Sequence, residues 1–130
     1  MRIAAGLALD VAFICLFAAI GRRTHAETGA LLGVATTAWP FLAGMAAGWL
    51  LWVSAVGRAP LRVRDGIPVW LATVAIGMVL RHLTDAGTAV SFIVVATVFL
   101  GATLLGWRAV AELITHRRRA PDGQPTRRRA

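Results

Sequence analysis

Four long apolar stretches, each closed off by charge, decide what this chain can become. They are Ile3–Ile20, Ala30–Val56, Ile67–Leu80 and Ala89–Trp107. A helix needs about 20 apolar residues to cross the hydrocarbon of a bilayer, within a range near 17–25. The first and fourth stretches fit, and the second is long enough to tilt. The third has 14 residues. It must borrow Arg81–Leu83, with the arginine snorkelling to the head groups. Only helices and closed barrels satisfy backbone polar groups in lipid, and no alternating ten-residue pattern suggests a barrel. The expected fold is all-α: a four-transmembrane-helix bundle over residues 1–115. Its helices fall at about 3–20, 30–56, 67–83 and 89–115. A disordered basic tail follows over 116–130, rich in Pro and Arg and poor in hydrophobes.

Composition agrees. The chain is 58% hydrophobic and 15% charged, with mean hydropathy +0.69, too few charges for a soluble domain of this size. A secretory signal is the competing reading of the N-terminus. Asp10 interrupts its apolar region, and Thr24-His25-Ala26 is a poor cleavage site, so the first stretch is read as a helix. Cys15 stands alone, which excludes a disulfide within the chain.

An even number of spans puts both ends on one side. That side holds Arg2, Arg58, Arg62, Arg64, Arg108 and the six tail arginines, 11 of the 14 basic residues. The other side holds Arg22, Arg23 and Arg81. Arginine near helix ends is retained in the cytoplasm. The expected location is therefore a bacterial inner (plasma) membrane with N-in/C-in orientation. The tail is expected to act as a topological anchor, with attraction to anionic lipids as its functional reading. It lacks interleaved aromatics, so nucleic acid is not an expected partner.

The string FLAGMAAGW at 41–49 returns as FLGATLLGW at 99–107, 58 residues later. The same shift aligns Val11 with Val69, Arg23 with Arg81, Glu27 with Asp85, Gly29 with Gly87 and Ala38 with Ala96. The expected architecture is two parallel-repeat helical hairpins, each with an even number of spans and related by an axis along the membrane normal. Trp49 and Trp107 then read as interface anchors in the aromatic belt. Gly44 and Gly48 form a G-x-x-x-G step, matched by Ala102 and Gly106. Small residues four apart let helix backbones approach, within the chain or in a homo-oligomer.

Polar residues inside apolar stretches are the candidate site. Asp10 lies about 10 Å into the first helix, where a charge costs on the order of 3 kcal/mol. It reads either as a proton- or cation-handling carboxylate, or as a structural one bonded to Thr73, Ser54 or a backbone group. Pro40 cannot donate to the carbonyl of Thr36 and is expected to kink the second helix, with Thr36 and Thr37 re-satisfying freed groups. At the outer face stand Arg22, Arg23, His25 and Glu27, then Arg81, His82 and Asp85. If helical, Arg23–Glu27 and Arg81–Asp85 form i, i+4 ion pairs. His25 and His82 with the two carboxylates match no compact ligand motif, so no metal is expected. No catalytic triad order, phosphate loop or cysteine cluster is present. Neither an enzyme nor a cofactor is expected.

The stretches ALDVAFICLFAAIGRRTHAETG, TAWPFLAGMAAGW and GIPVWLATVAIGMVLRHLTDAGTAVSFIVVATVFLGATLLGWR resemble small actinobacterial membrane proteins, the domain of unknown function 3054. The resemblance covers about residues 9–108. It implies a four-helix integral membrane protein and no particular activity. It marks Asp10, Arg22, Arg23, His25, Trp39, Pro40, Arg81 and Arg108 as family-typical, without roles.

Two functions are carried forward. One is small-solute or ion transport along a path lined by Asp10, the Pro40 kink and the outer cluster. The other is a non-transporting membrane component that assembles through its small-residue faces. A polar, water-accessible cavity reaching Asp10 favours the first, and a dry bundle favours the second.

Overall fold

A computed structural model of the chain describes residues 2–21 and 30–119, and these form four helices and no strand. They are α1 (Ile3–Gly21), α2 (Ala30–Val56), α3 (Val63–Leu83) and α4 (Val90–Arg119). At 1.5 Å per residue α1 is about 28 Å long, enough for a hydrocarbon core of about 30 Å with its flanks. All four helices are long and apolar enough to span a membrane. Arg22, Arg23, His25 and Glu27 lie outside the described residues, as do tail residues 120–130.

Two boundaries differ from the sequence expectation, both through charge. Helix α3 begins at Val63, not near residue 67. Glu112 accepts the Val63 N–H at 3.0 Å, and Asp65 sits in the first turn, where a carboxylate complements the helix dipole. This early start supplies the length that the third apolar stretch lacks. Helix α4 runs on to Arg119, carrying His116, Arg117, Arg118 and Arg119 in its last turn. Cations favour that end of a helix. The first four residues of the expected tail are thus helical.

The helices pack in a ring, each touching its two sequence neighbours, with α4 closing onto α1. The α2–α3 seam is the most extensive. A Cβ on Gly44 would stand 2.9 Å from the carbonyl oxygens of Ala72 and Thr73, and one on Gly77 would meet the Phe41 ring at 2.5 Å. The G-x-x-x-G step is therefore spent inside the chain, against α3. Across the α3–α4 seam, Trp70 lies over Gly101 and donates its Nε1–H to the Thr97 carbonyl at 3.0 Å.

Toward the end that carries the α3–α4 connection the core is aromatic. Phe17 meets Phe41 edge-on at 5.4 Å, and Phe99 and Phe92 at 5.6 and 5.8 Å. Below them pack Ile14, Leu100 and Leu104. The outside carries Leu31, Leu32, Leu50 and Val98, between 65 and 88% exposed, whereas Asp10, Thr73 and Arg108 are fully buried. Water would not tolerate so broad an apolar exterior on a monomer. Lipid does, and the protein is a membrane protein by this pattern.

Candidate functional site

Asp10 belongs to the buried stripe of α1, with Gly6, Ile14, Phe17 and Ala18. An ionised carboxylate there must find donors for its four acceptor sites or pay heavily for dehydration. It finds all four. Oδ1 accepts from Trp107 Nε1 at 2.8 Å and Arg108 Nη1 at 2.9 Å. Oδ2 accepts from Trp49 Nε1 at 2.8 Å and Arg108 Nη2 at 2.8 Å. The guanidinium also donates through Nε to the Pro60 carbonyl at 2.8 Å and through Nη1 to the Leu104 carbonyl at 2.6 Å. It lies 4.4 Å from the Trp107 ring centroid.

One carboxylate thus ties α1 to α2 and α4, and through Arg108 to the α2–α3 connection. Two glycines make the room. A Cβ on Gly66 would come within 2.6 Å of the Arg108 chain, and one on Gly6 within 2.7 Å of Leu61 and 3.2 Å of Trp107. Trp49 and Trp107 occupy matching positions of the repeated string, and both indoles converge on Asp10.

This corrects two expectations. Trp49 and Trp107 do not stand as anchors at the head groups; they are 7 and 8% exposed and turn their N–H groups inward. A buried carboxylate offers those donors more than the interface does. Asp10 is bonded neither to Thr73 nor to Ser54. The Thr73 hydroxyl donates to Val69 O on its own helix at 2.7 Å, and Ser54 is exposed.

The rest of the expected polar path lies elsewhere. Thr36 and Thr37 line a cleft of about 410 Å3 with Arg81, Phe17 and Phe92, at the end of the bundle that carries the α3–α4 connection. The Thr36 hydroxyl donates to Gly33 O at 3.0 Å, so it does not serve the carbonyl that Pro40 leaves free. Pro40 itself is buried in a helix that continues unbroken to Val56. Between the cleft and Asp10 stands the cluster of Phe17, Phe41, Phe92 and Phe99.

At the α3–α4 turn Arg81 does not pair with Asp85. It donates to the carbonyls of Ala86 at 2.7 Å and Gly87 at 3.1 Å, and lies 4.2 Å from the Phe92 ring centroid. Asp85 leaves the helix in a left-handed conformation (φ 53°), which ends the i, i+4 geometry. His82 is exposed at the end of α3. The ion pairs among the described residues are Arg108–Asp10 and Arg58–Asp65. In the second, the bond to Asp65 raises the Arg58 pKa above the ordinary arginine value, against a smaller opposing effect of desolvation.

Gly106 is unlike Gly44 and Gly48: a Cβ there meets nothing. It lines an apolar groove of about 520 Å3 between α1 and α4, with Leu9, Phe13, Ala102, Val110 and Ile114.

Sequence reading missed Arg108 as a site residue, and with it Gly6 and Gly66. A signal was available: a lone carboxylate in an apolar stretch requires a counter-charge, and Arg108 is the arginine whose place in its span matches the depth of Asp10.

No curated protein and no solved structure matches the chain. A family model described as "Protein of unknown function (DUF3054)" matches residues 7–111, most of the sequence and every residue of the Asp10 cluster, and the chain belongs to that family.

Proposed function

We propose that this protein is a non-transporting membrane component that works by assembling with other transmembrane helices. The observation that carries this reading is the closure of Asp10. Its four acceptor sites are filled by Arg108, Trp49 and Trp107, and the residue has no exposed surface. A carboxylate that relays protons or cations needs water or an open ligand position. Here the carboxylate is a clasp, and the phenylalanine cluster separates it from the cleft beside Arg81.

The open face of α4 supports the assembling part of the reading. Gly44 and Gly48 are used up against α3, while Ala102 and Gly106 line a groove that the chain itself leaves unfilled. Small residues on an open face suit close approach of another helix in lipid. The setting we infer is a bacterial plasma membrane with both ends in the cytoplasm, from the arginine asymmetry.

Proteoliposome flux tests the proposal. Vesicles carrying the protein should leak protons, potassium and small anions no faster than empty vesicles. Flux clearly above the empty-vesicle level would remove the reading. The outer cleft beside Arg81 would then be the mouth of a path gated at the phenylalanine cluster.

A further inference from the structure

The end of the bundle that carries the α2–α3 connection holds a second polar feature. A cleft of about 520 Å3 opens between the start of α3 and the last turns of α4. Arg62 and Arg64 line one wall; Glu112, Thr115, His116 and Arg119 of α4 line the other. From this arrangement we infer that the cleft binds a phosphate group, carried by the head group of an anionic lipid.

Three observations support it. First, the wall is cationic by count: three arginines face one carboxylate. One oxygen of that carboxylate is turned to the backbone, where Glu112 Oε1 accepts the Val63 N–H at 3.0 Å. Guanidinium groups match phosphate oxygens in both charge and fork geometry.

Second, the frame is held in place. Arg58 forms a two-pronged pair with Asp65, with Nη2 to Oδ1 at 2.9 Å. Arg108 Nε holds the Pro60 carbonyl, and Glu112 holds Val63. The segment bearing Arg62 and Arg64 is thus tied at three points, which lowers the ordering cost of binding.

Third, the depth is right. Helix α4 has 30 residues, about 45 Å against about 30 Å of hydrocarbon. Its last turns therefore stand among head groups, where lipid phosphates lie. The inference does not rest on the non-transporting reading, because a conducting bundle would present the same cleft.

The test uses the full chain in vesicles of mixed phosphatidylglycerol and phosphatidylcholine, released into mild detergent. Native mass spectrometry then counts the lipid retained. Wild type should retain phosphatidylglycerol preferentially. The R62Q/R64Q double variant should lose that preference by at least about tenfold, given the strength of arginine–lipid attraction. R119Q, at the helix end where folding is not at stake, should weaken it in the same direction. The control is R117Q/R118Q, which removes the same charge from α4 outside the cleft and should retain the preference.

A second arm adds millimolar inorganic phosphate. Retention unaffected by phosphate supports the lipid as source. Displacement by phosphate that also depends on Arg62 and Arg64 supports the same site with a soluble source. Equal loss in the cleft and control variants, or no loss in either, overturns the inference, because the attraction is then diffuse charge or absent.

Discussion

At the scale of single residues, the molecule turns on how Asp10 and Arg108 survive without water. Replacing such a pair with apolar side chains is often harmless, but removing one partner strands a charge. D10N keeps the shape of the side chain and leaves Arg108 uncompensated. It should lower stability by about 3–5 kcal/mol, read as a fall in the denaturant midpoint in micelles. Adding R108M to D10N should recover much of that loss, because the remaining buried groups are then neutral. Additive losses in the double variant would show that the two side chains do not act as a pair. W49F removes one donor to the charged carboxylate and should cost about 1.5–3 kcal/mol by the same measurement. A tryptophan anchored in the head groups would give a far smaller change, so this variant separates the observed role from the one its position suggests.

Among elements, the seams between helices differ in what their glycines do. G44A drives a Cβ into backbone oxygens of α3 at 2.9 Å. Backbone cannot yield as a side-chain tip can, so overpacking there should cost about 1–3 kcal/mol. G106A meets open space in the α1–α4 groove and should leave stability unchanged or raise it by up to about 1 kcal/mol through helix propensity. Thermal unfolding in micelles distinguishes the two; a large loss in G106A would mean that another helix occupies the groove. These seams also show what could be read from the letters alone. Helix number and most boundaries were legible because apolar length reports a span directly. The start of α3 was not, because Arg62–Asp65 looks like a polar loop until Arg58 and Glu112 are brought to it from elsewhere. Arg108 was misplaced for a related reason. It follows a tryptophan at the end of an apolar stretch, the pattern of an interfacial flank, and only the packing of α4 beside α1 turns it inward. The matched Gly-Trp strings were visible, but their common destination at Asp10 depends on a contact 39 and 97 residues away in the chain.

For the whole molecule the open question of direction can be argued from where the arginines end up. Arg108 is neutralised by Asp10 and Arg58 is paired with Asp65, and by net charge this pairing reduces the asymmetry between the two ends. Orientation is nevertheless governed by the arginines, because it is set during insertion, before such pairs form, and acidic residues contribute little to it. Arg2, Arg62, Arg64, Arg117, Arg118 and Arg119 remain at one end in any case, and Arg81 at the other. The ring of helices adds a constraint: the α2–α3 connection is tied to α4 by Arg108–Pro60 and Glu112–Val63, so one hairpin cannot invert alone without breaking the bundle. Single-cysteine variants in a C15A background read the result. A89C, at the exposed start of α4, should react with a membrane-impermeant maleimide on intact cells. T115C, on the exposed extension of the same helix, should react only after permeabilisation. The reverse pattern would invert the molecule and place the Arg62–Arg119 cleft outside. Labelling of both positions from one side would mean that α4 does not span at all, and the Asp10 clasp would then have no bilayer to be buried in.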